Sequence, residues 1–394
     1  MRNEHLAYAP IPYARQSISD PDIEAVVQIL RSDWLTQGPT VERFEKAVAE
    51  YCGARYAVAV NSGTSALHIA CLAAGLGPGD TLWTSPNTFV ASANCALYCG
   101  ARVDFVDIDP RTLNLSLSTL EEKLENAKAD GNLPKVVITV HFAGQSCDMA
   151  GISDLAVRFG FTVIEDASHA IGGQYRGARI GNGSFSEMTV FSFHPVKIIT
   201  TGEGGMVLTN REDLYRKLVR LRSHGITRES ALMEGESDGP WYYQQIELGF
   251  NYRMTDMQAA LGVSQLLRID EFVERRHLLA DRYGESLKDL PVTLPWQHPD
   301  CYSAFHLYVI RLKLDRVGKT RKRVFEELQA AGIQVHVHYI PVHTQPYYRK
   351  MGFRPGDFPE AERYYREALT LPMYYALTDE GQERVIQALE GILR

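Results

Sequence analysis

The chain has 394 residues, too many for one small domain and enough for two. A composition that is 45% hydrophobic and 23% charged is that of an ordinary water-soluble globular protein, and a net charge of −7 removes the positive field on which nucleic-acid binders rely. The opening "MRNEHLAYAPIPYARQSI" lacks the apolar core of a signal peptide, and no apolar run nears the ~20 residues that span a bilayer, so a cytoplasmic protein is expected.

Helix and strand patterns alternate through the first 210 residues. "ISDPDIEAVVQILR" predicts a helix with Ser19 as N-cap, Pro21 in the first turn, and Ile23, Val26, Val27 and Leu30 on one apolar face. "TVERFEKAVAEYCG" repeats that face with Val41, Phe44, Val48 and Tyr51, and Gly53 stops it. Apolar runs then follow at 56–60, 81–85, 102–108, 135–142, 161–166, 188–193 and 204–209. Helical patterns such as 64–74, 118–128 and 149–159 lie between them. Such alternation predicts an α/β fold: a mainly parallel, seven-stranded sheet covered by helices on both faces.

The pattern changes after about residue 210. "REDLYRKLVRLRSHG" reads as a helix, and 226–250 as an excursion loop with acidic and aromatic character. A long helical region covers 255–290 and is closed by Pro291 and Pro295. Then come a strand (304–313), a helix (319–331), a strand (333–340) and two helices (359–369 and 378–393). The expected division is a large domain over 1–254, including the N-terminal helix and the loop, and a smaller α+β domain over 255–394, including its linking helix.

Three motifs carry chemistry. In "NSGTSALHIACLAAG" (61–75) a strand runs straight into a helix, whose first turn presents free N–H groups and a positive dipole end. Gly63 permits close approach, and Thr64 and Ser65 add hydroxyls, which makes a phosphate cradle; the plainer alternative is a well-capped turn. In "VIEDASHA" (163–170) Glu165 and Asp166 end a strand, where α/β enzymes bind ligands. Asp166 could face a cationic ring nitrogen there, or both acids could merely cap the next turn. In "FSFHPVKIITTGEGGM" (191–206) Lys197 stands among apolar and small residues, five positions after Ser192. A buried lysine of depressed pKa is a good imine-forming nucleophile, whereas most lysines reach out to solvent. Together the three supply a phosphate end, a ring-nitrogen partner and an aldehyde partner in the order that pyridoxal phosphate requires.

The segments "NSGTSALH", "SPNTFVASANCALYCGARVDFVDID", "VIEDASHA", "FSFHPVKIITTGEGGMVLTN", "LGFNYRMTDMQAALG" and "VHYIPVHTQPYY" resemble the DegT/DnrJ/EryC1/StrS sugar aminotransferases over about residues 10 to 390. The resemblance implies pyridoxal 5'-phosphate as cofactor, with pyridoxamine phosphate as its amino form, on the aspartate-aminotransferase-like fold (fold type I). It makes Lys197 the lysine that bonds the cofactor's aldehyde and Asp166 the partner of its ring nitrogen. Gly63, Thr64, Ser65 and Ser192 become phosphate contacts, Phe89 the aromatic that stacks on the ring, and His169 a neighbour of the ring hydroxyl. Asn251 is expected to reach the cofactor of a second subunit, so the resemblance implies a homodimer with shared sites. Tyr13, the run Asp33, Trp34, Leu35 and Thr36, and the run His338, Tyr339, Ile340 and Pro341 correspond to segments bordering a nucleotide-sugar site.

The implied reaction moves an amino group from an amino acid, L-glutamate, to C4 of a nucleotide-linked 4-keto-6-deoxyhexose. "SFHPVKIITTGEGG", "LTQGP" and "RSHGI" look most like the members that form UDP-4-amino-4,6-dideoxy-N-acetyl-β-L-altrosamine on the pseudaminic acid route. Enzymes of the perosamine or aminoarabinose type, 3-aminotransferases and a non-catalytic regulator on the same fold remain open. The retained lysine argues against the related 3-dehydratases, which carry His in its place. The absence of GxGxxG after the first strand argues against a nicotinamide dehydrogenase.

Weaker signals have plainer explanations. His336, His338 and His343 lack a third ligand at supporting spacing, so no metal is expected. Cys95 and Cys99 read as core, and the six cysteines as reduced thiols rather than a disulfide framework. Arg222 and Arg228 are equally candidates for binding an anion and for solvated loop residues.

Overall fold

Seven strands pair into one sheet in a computed structural model that describes residues 9–394. They are β1 (Tyr56–Val60), β2 (Thr81–Thr84), β3 (Arg102–Phe105), β4 (Val136–Val140), β5 (Thr162–Asp166), β6 (Met188–Ser192) and β7 (Gly205–Thr209). Their order is β1-β7-β6-β5-β4-β2-β3. Only β7 runs against its neighbours; the pairs from β6 across to β3 are parallel. A parallel neighbour requires a crossover, usually helical. The link 193–204 contains no helix, so the chain doubles back beside β6. That link carries Lys197 and leaves it at the carboxyl edge of β5 and β6.

The strands are buried on both faces and divide their side chains by alternation. Val58 and Val60 join Leu67, Ile138, Ile164 and Val190 on one face. Ala57 and Ala59 join Phe44, Val48, Phe191 and Met206 on the other. Helix α1 (Asp20–Leu30), which precedes α2 (Pro39–Cys52), departs from the predicted face. It turns Asp22 inward, where Gln265 Nε2 donates to it at 2.7 Å, and leaves Ile23 and Leu30 exposed.

A second core gathers Leu279, Tyr283, Leu287, Tyr308, Ile310, Leu369, Leu371 and Leu389. The predicted 255–290 helix is two helices, Asp256–Leu266 and Ile269–Leu287. The latter serves both cores: Ile269, Phe272 and Val273 pack with the large sheet, and Leu279 onward with the second core. Residues 333–340 form no strand, only isolated bridges from Ile333 to Ile11 and from His336 to Thr370. The strand beside Tyr308–Leu312 is Ala368–Leu371 instead, which ends the predicted 359–369 helix at Glu367. Four consecutive buried residues, A-L-T-L, fit a strand covered on both faces, whereas the polar one-sided pattern of 359–367 fits a surface helix.

Candidate active site

Helix α3 (Gly63–Ala73) begins directly after β1. Ser62 caps it, its Oγ accepting from Ser65 N at 3.1 Å, and the amides of Gly63 and Thr64 stand at the open end. A Cβ on Gly63 would lie 2.9 Å from Ser192 Cβ, closer than side chains tolerate. Glycine therefore lets the helix mouth meet the end of β6, so Thr64 and Ser192 share one concavity. Ser65 Oγ donates to Asn61 Oδ1 at 2.7 Å.

The two acids ending β5 point opposite ways, as strand alternation demands. Glu165 enters a buried polar cluster with His141 Nε2 at 2.6 Å, Ser186 Oγ at 2.5 Å and Thr189 Oγ1 at 3.1 Å. Burial alone would raise its pKa; the hydrogen bonds from His141, Ser186 and Thr189 outweigh it and hold the carboxyl low. Cys147 N donates to His141 Nδ1, so the ring proton sits on Nε2 and faces Glu165. Asp166 instead faces the cavity. Ser92 Oγ donates to its Oδ2 at 2.6 Å, Ser168 N donates to Oδ1 at 3.2 Å, and Thr88 Oγ1 lies 2.8 Å behind Ser92.

Lys197 is pinned from both sides: its N–H donates to His194 O, Thr201 N donates to Phe193 O, and Ile198 and Ile199 are buried. Desolvation pushes its amine down to about 8, against the opposing pull of Asp166. Part of the population is thus unprotonated near neutral pH. Two of the nearby rings, His169 and His338, are neutral. His169 is held well below its ordinary value by burial and then by Lys197 and His338, and His338 is pushed down to about 3 mainly by burial. His169 Nδ1 accepts from Ala143 N, so Nε2 carries the proton and donates to Tyr339 OH at 3.1 Å. Burial, then Asp166, raise the Tyr339 hydroxyl, which keeps its own proton for the cavity.

Gly63, Thr64, Ser65, Asp166, His169, Ser192 and Lys197 line one cavity of about 770 Å³, together with Tyr13, His338 and Tyr339. Phe89 stands at its mouth, 58% exposed. The single chain does not bring the remaining predicted residues to it. Asp33, Trp34, Leu35 and Thr36 are exposed and run past the start of helix Asp256–Leu266, where Thr36 bridges Thr255. Asn251 and Ile340 are exposed, and Pro341 is buried away from the cavity. Arg222 is not free for an anion, since it is paired with Glu45 and donates to Ala59 O. His343 turns to Glu362, and among the described residues no three metal-ligating side chains gather.

Sequence reasoning missed Ser92, Thr88 and His306. The i, i+4 spacing of Thr88 and Ser92 in "TFVAS" put two hydroxyls on one face of a helix start, which was the available signal for the first two. His306 carried no local signal.

The model of the DegT/DnrJ/EryC1/StrS aminotransferase family matches residues 16–390. The chain is 41% identical to the spore coat polysaccharide biosynthesis protein SpsC of Bacillus subtilis, over 98% of this chain and 97% of that one. It is 38% identical to the GDP-perosamine synthase of Caulobacter vibrioides, over 96% and 98%. Its fold superposes on Helicobacter pylori PseC, an aminotransferase involved in the biosynthesis of pseudoaminic acid, with a TM-score of 0.88, 29% identity and coverage of 98% and 99%. The chain belongs to the DegT/DnrJ/EryC1/StrS family, whose members are pyridoxal-phosphate-dependent sugar aminotransferases.

Proposed function

We propose that the protein transfers an amino group from L-glutamate to C4 of a nucleotide-linked 4-keto-6-deoxyhexose, with UDP-2-acetamido-2,6-dideoxy-β-L-arabino-hex-4-ulose as the favoured acceptor. The observation that carries this reading is the convergence of the Lys197 amine, Asp166 and the α3 mouth on one cavity. The residues present fit pyridoxal phosphate. An anion suits amides at a helix start that a glycine leaves open, and an amine of pKa about 8 suits bonding to an aldehyde.

The amides of Gly63 and Thr64 and the hydroxyl of Ser192 would hold the phosphate, and the Ser65 hydroxyl joins by turning from Asn61. Asp166, oriented by Ser92, would face the ring nitrogen, and His169 the ring oxygen. When bound, the cofactor supplies an aldehyde that takes up amines and a cationic ring that stores the electron pair released at the neighbouring carbon. Lys197 Nζ takes a proton from the donor's Cα and returns one to the sugar at C4 in the second half-reaction. Asp166 would face the ring nitrogen and favour its protonated form. Tyr339 presents its O–H, and the neutral His169 and His338 add no charge beside the amine.

Asn251 and the exposed 33–36 run have no role within one cavity, which supports a homodimer in which each chain completes the other's site. The PseC-like fold and the motifs around Lys197 favour the UDP-linked acceptor; the 38% identity to the perosamine synthase favours a GDP-linked one as the second reading. Incubation with glutamate and a panel of UDP-, GDP- and dTDP-4-keto-6-deoxy sugars, with product stereochemistry read by NMR, tests both. Amination of a GDP sugar alone selects the second reading, and no product from any 4-keto sugar overturns the position-4 assignment.

A further inference from the structure

The mechanism above gives no role to His306, a buried ring of the cavity. His306 borders the cavity and is only 3% exposed, yet its Nδ1 is enclosed without a hydrogen-bond partner. The neighbouring rings are engaged: His169 with Ala143 N and Tyr339 OH, and His338 with Thr370 Oγ1 at 2.8 Å. A buried polar group without a partner is costly and calls for an explanation.

The backbone holds this ring firmly. Ala304 N donates to Gly144 O at 3.0 Å and Leu307 N to Ala143 O at 3.2 Å, docking the 304–307 segment on the turn after β4. A Cβ on Gly144 would lie 2.7 Å from Phe305 N, so the two backbones touch. Buried Arg276 donates from Nη1 to the carbonyls of Phe305, His306 and Met373. Phe305 adopts φ +45, a conformation that persists only where the surroundings enforce it, and such residues cluster at ligand sites. The His306 ring rests on His169 at 4.4 Å.

The tautomer follows from the enclosure. Burial, then His169 and Lys197, keep the ring neutral, so it carries one proton. Placing that proton on Nδ1 would bury an N–H with no acceptor in reach. Nδ1 is therefore the bare nitrogen, and Nε2 carries the proton.

We propose that His306 is a substrate-binding residue that donates its Nε2–H to an electron-rich oxygen of the bound substrate. Two oxygens share that chemistry: the α-carboxylate of the amino donor and the carbonyl at the sugar's reacting carbon. The proposal rests on the aminotransferase reading.

The test uses His306→Leu, which removes the donor, and His306→Gln, which keeps an N–H, in the holoenzyme; His306→Met replaces the leucine variant should it not fold. The two half-reactions are followed separately by the visible absorption, as glutamate removes it and keto-sugar restores it. His306→Leu should weaken apparent affinity for one substrate by about fivefold to a hundredfold, and His306→Gln should recover most of that, with cofactor retention unchanged in both. Loss in the glutamate half assigns the carboxylate, and loss in the sugar half assigns the carbonyl. Wild-type affinity in both halves for His306→Leu overturns the proposal, as does a His306→Gln no better than the leucine variant at native circular dichroism. A wild-type enzyme inert to every amino acid and keto-sugar sinks the aminotransferase reading along with it, whereas an active wild type with an unaffected His306→Leu sinks this proposal alone.

Discussion

The inner wall of the site and its outer rim are built differently. The inner wall, formed by the ends of β5 and β6 and the mouth of α3, is closed by the chain itself: Asp166, His169 and Ser65 are buried, and each has a partner. At the rim Phe89 is 58% exposed, and Trp34, beyond the cavity of the single chain, is 55% exposed. Reactive groups gain perturbed proton affinities from enclosure, so one chain supplies them. On our proposal the chemistry belongs to the protomer, while recognition is completed by substrate and by a second copy.

That contrast can be broken in several ways. Lys197→Ala should lower turnover by more than about a thousandfold while leaving the fold intact, and steady-state assays with thermal melting check it; retained turnover would move the chemistry off the inner wall. Mixing Lys197→Ala with Asn251→Ala chains, each nearly inactive alone, should restore up to about a quarter of wild-type activity through mixed dimers with one intact site. No recovery after verified subunit exchange would return Asn251 to its own chain. His141→Ala should cost about 1–3 kcal/mol in denaturant titration, because it removes one of the three side-chain hydrogen bonds that Glu165 accepts in the interior.

Smaller effects sharpen the comparison. Only the unprotonated amine attacks an aldehyde, so uptake of pyridoxal phosphate by the apoenzyme should accelerate with rising pH about a midpoint near 8, read by stopped-flow absorbance. The same depressed amine makes the unfolded chain bind more protons than the apoenzyme between about 8 and its ordinary 10.5, so this group's contribution to stability grows with pH across that window. Beyond the cavity of the single chain, Trp34→Ala should change stability by less than about 0.5 kcal/mol while raising KM for the sugar nucleotide if a second copy brings it to the site. An unchanged KM would remove Trp34 from recognition.

Legibility from sequence followed the range of the forces involved. The seven strands were readable because buried parallel strands are continuous apolar runs, and Gly63, Asp166 and Lys197 stand at strand ends where short motifs expose them. The strand Ala368–Leu371 was not readable, since its four residues continue a helical pattern until long-range pairing with Tyr308–Leu312 takes over. The opposite fates of Glu165 and Asp166 follow from alternation, but which faces the cavity depends on His141, 24 residues earlier. His306 reaches the site through docking across more than 130 residues, which no local pattern encodes.

The helix Ile269–Leu287 contributes to both cores along one unbroken run of backbone hydrogen bonds. It acts as a shared axle, and the two halves of the molecule cannot lose their packing independently. Melting either core strips apolar partners from the same rod, so heat should dissolve the protomer in a single calorimetric transition rather than two.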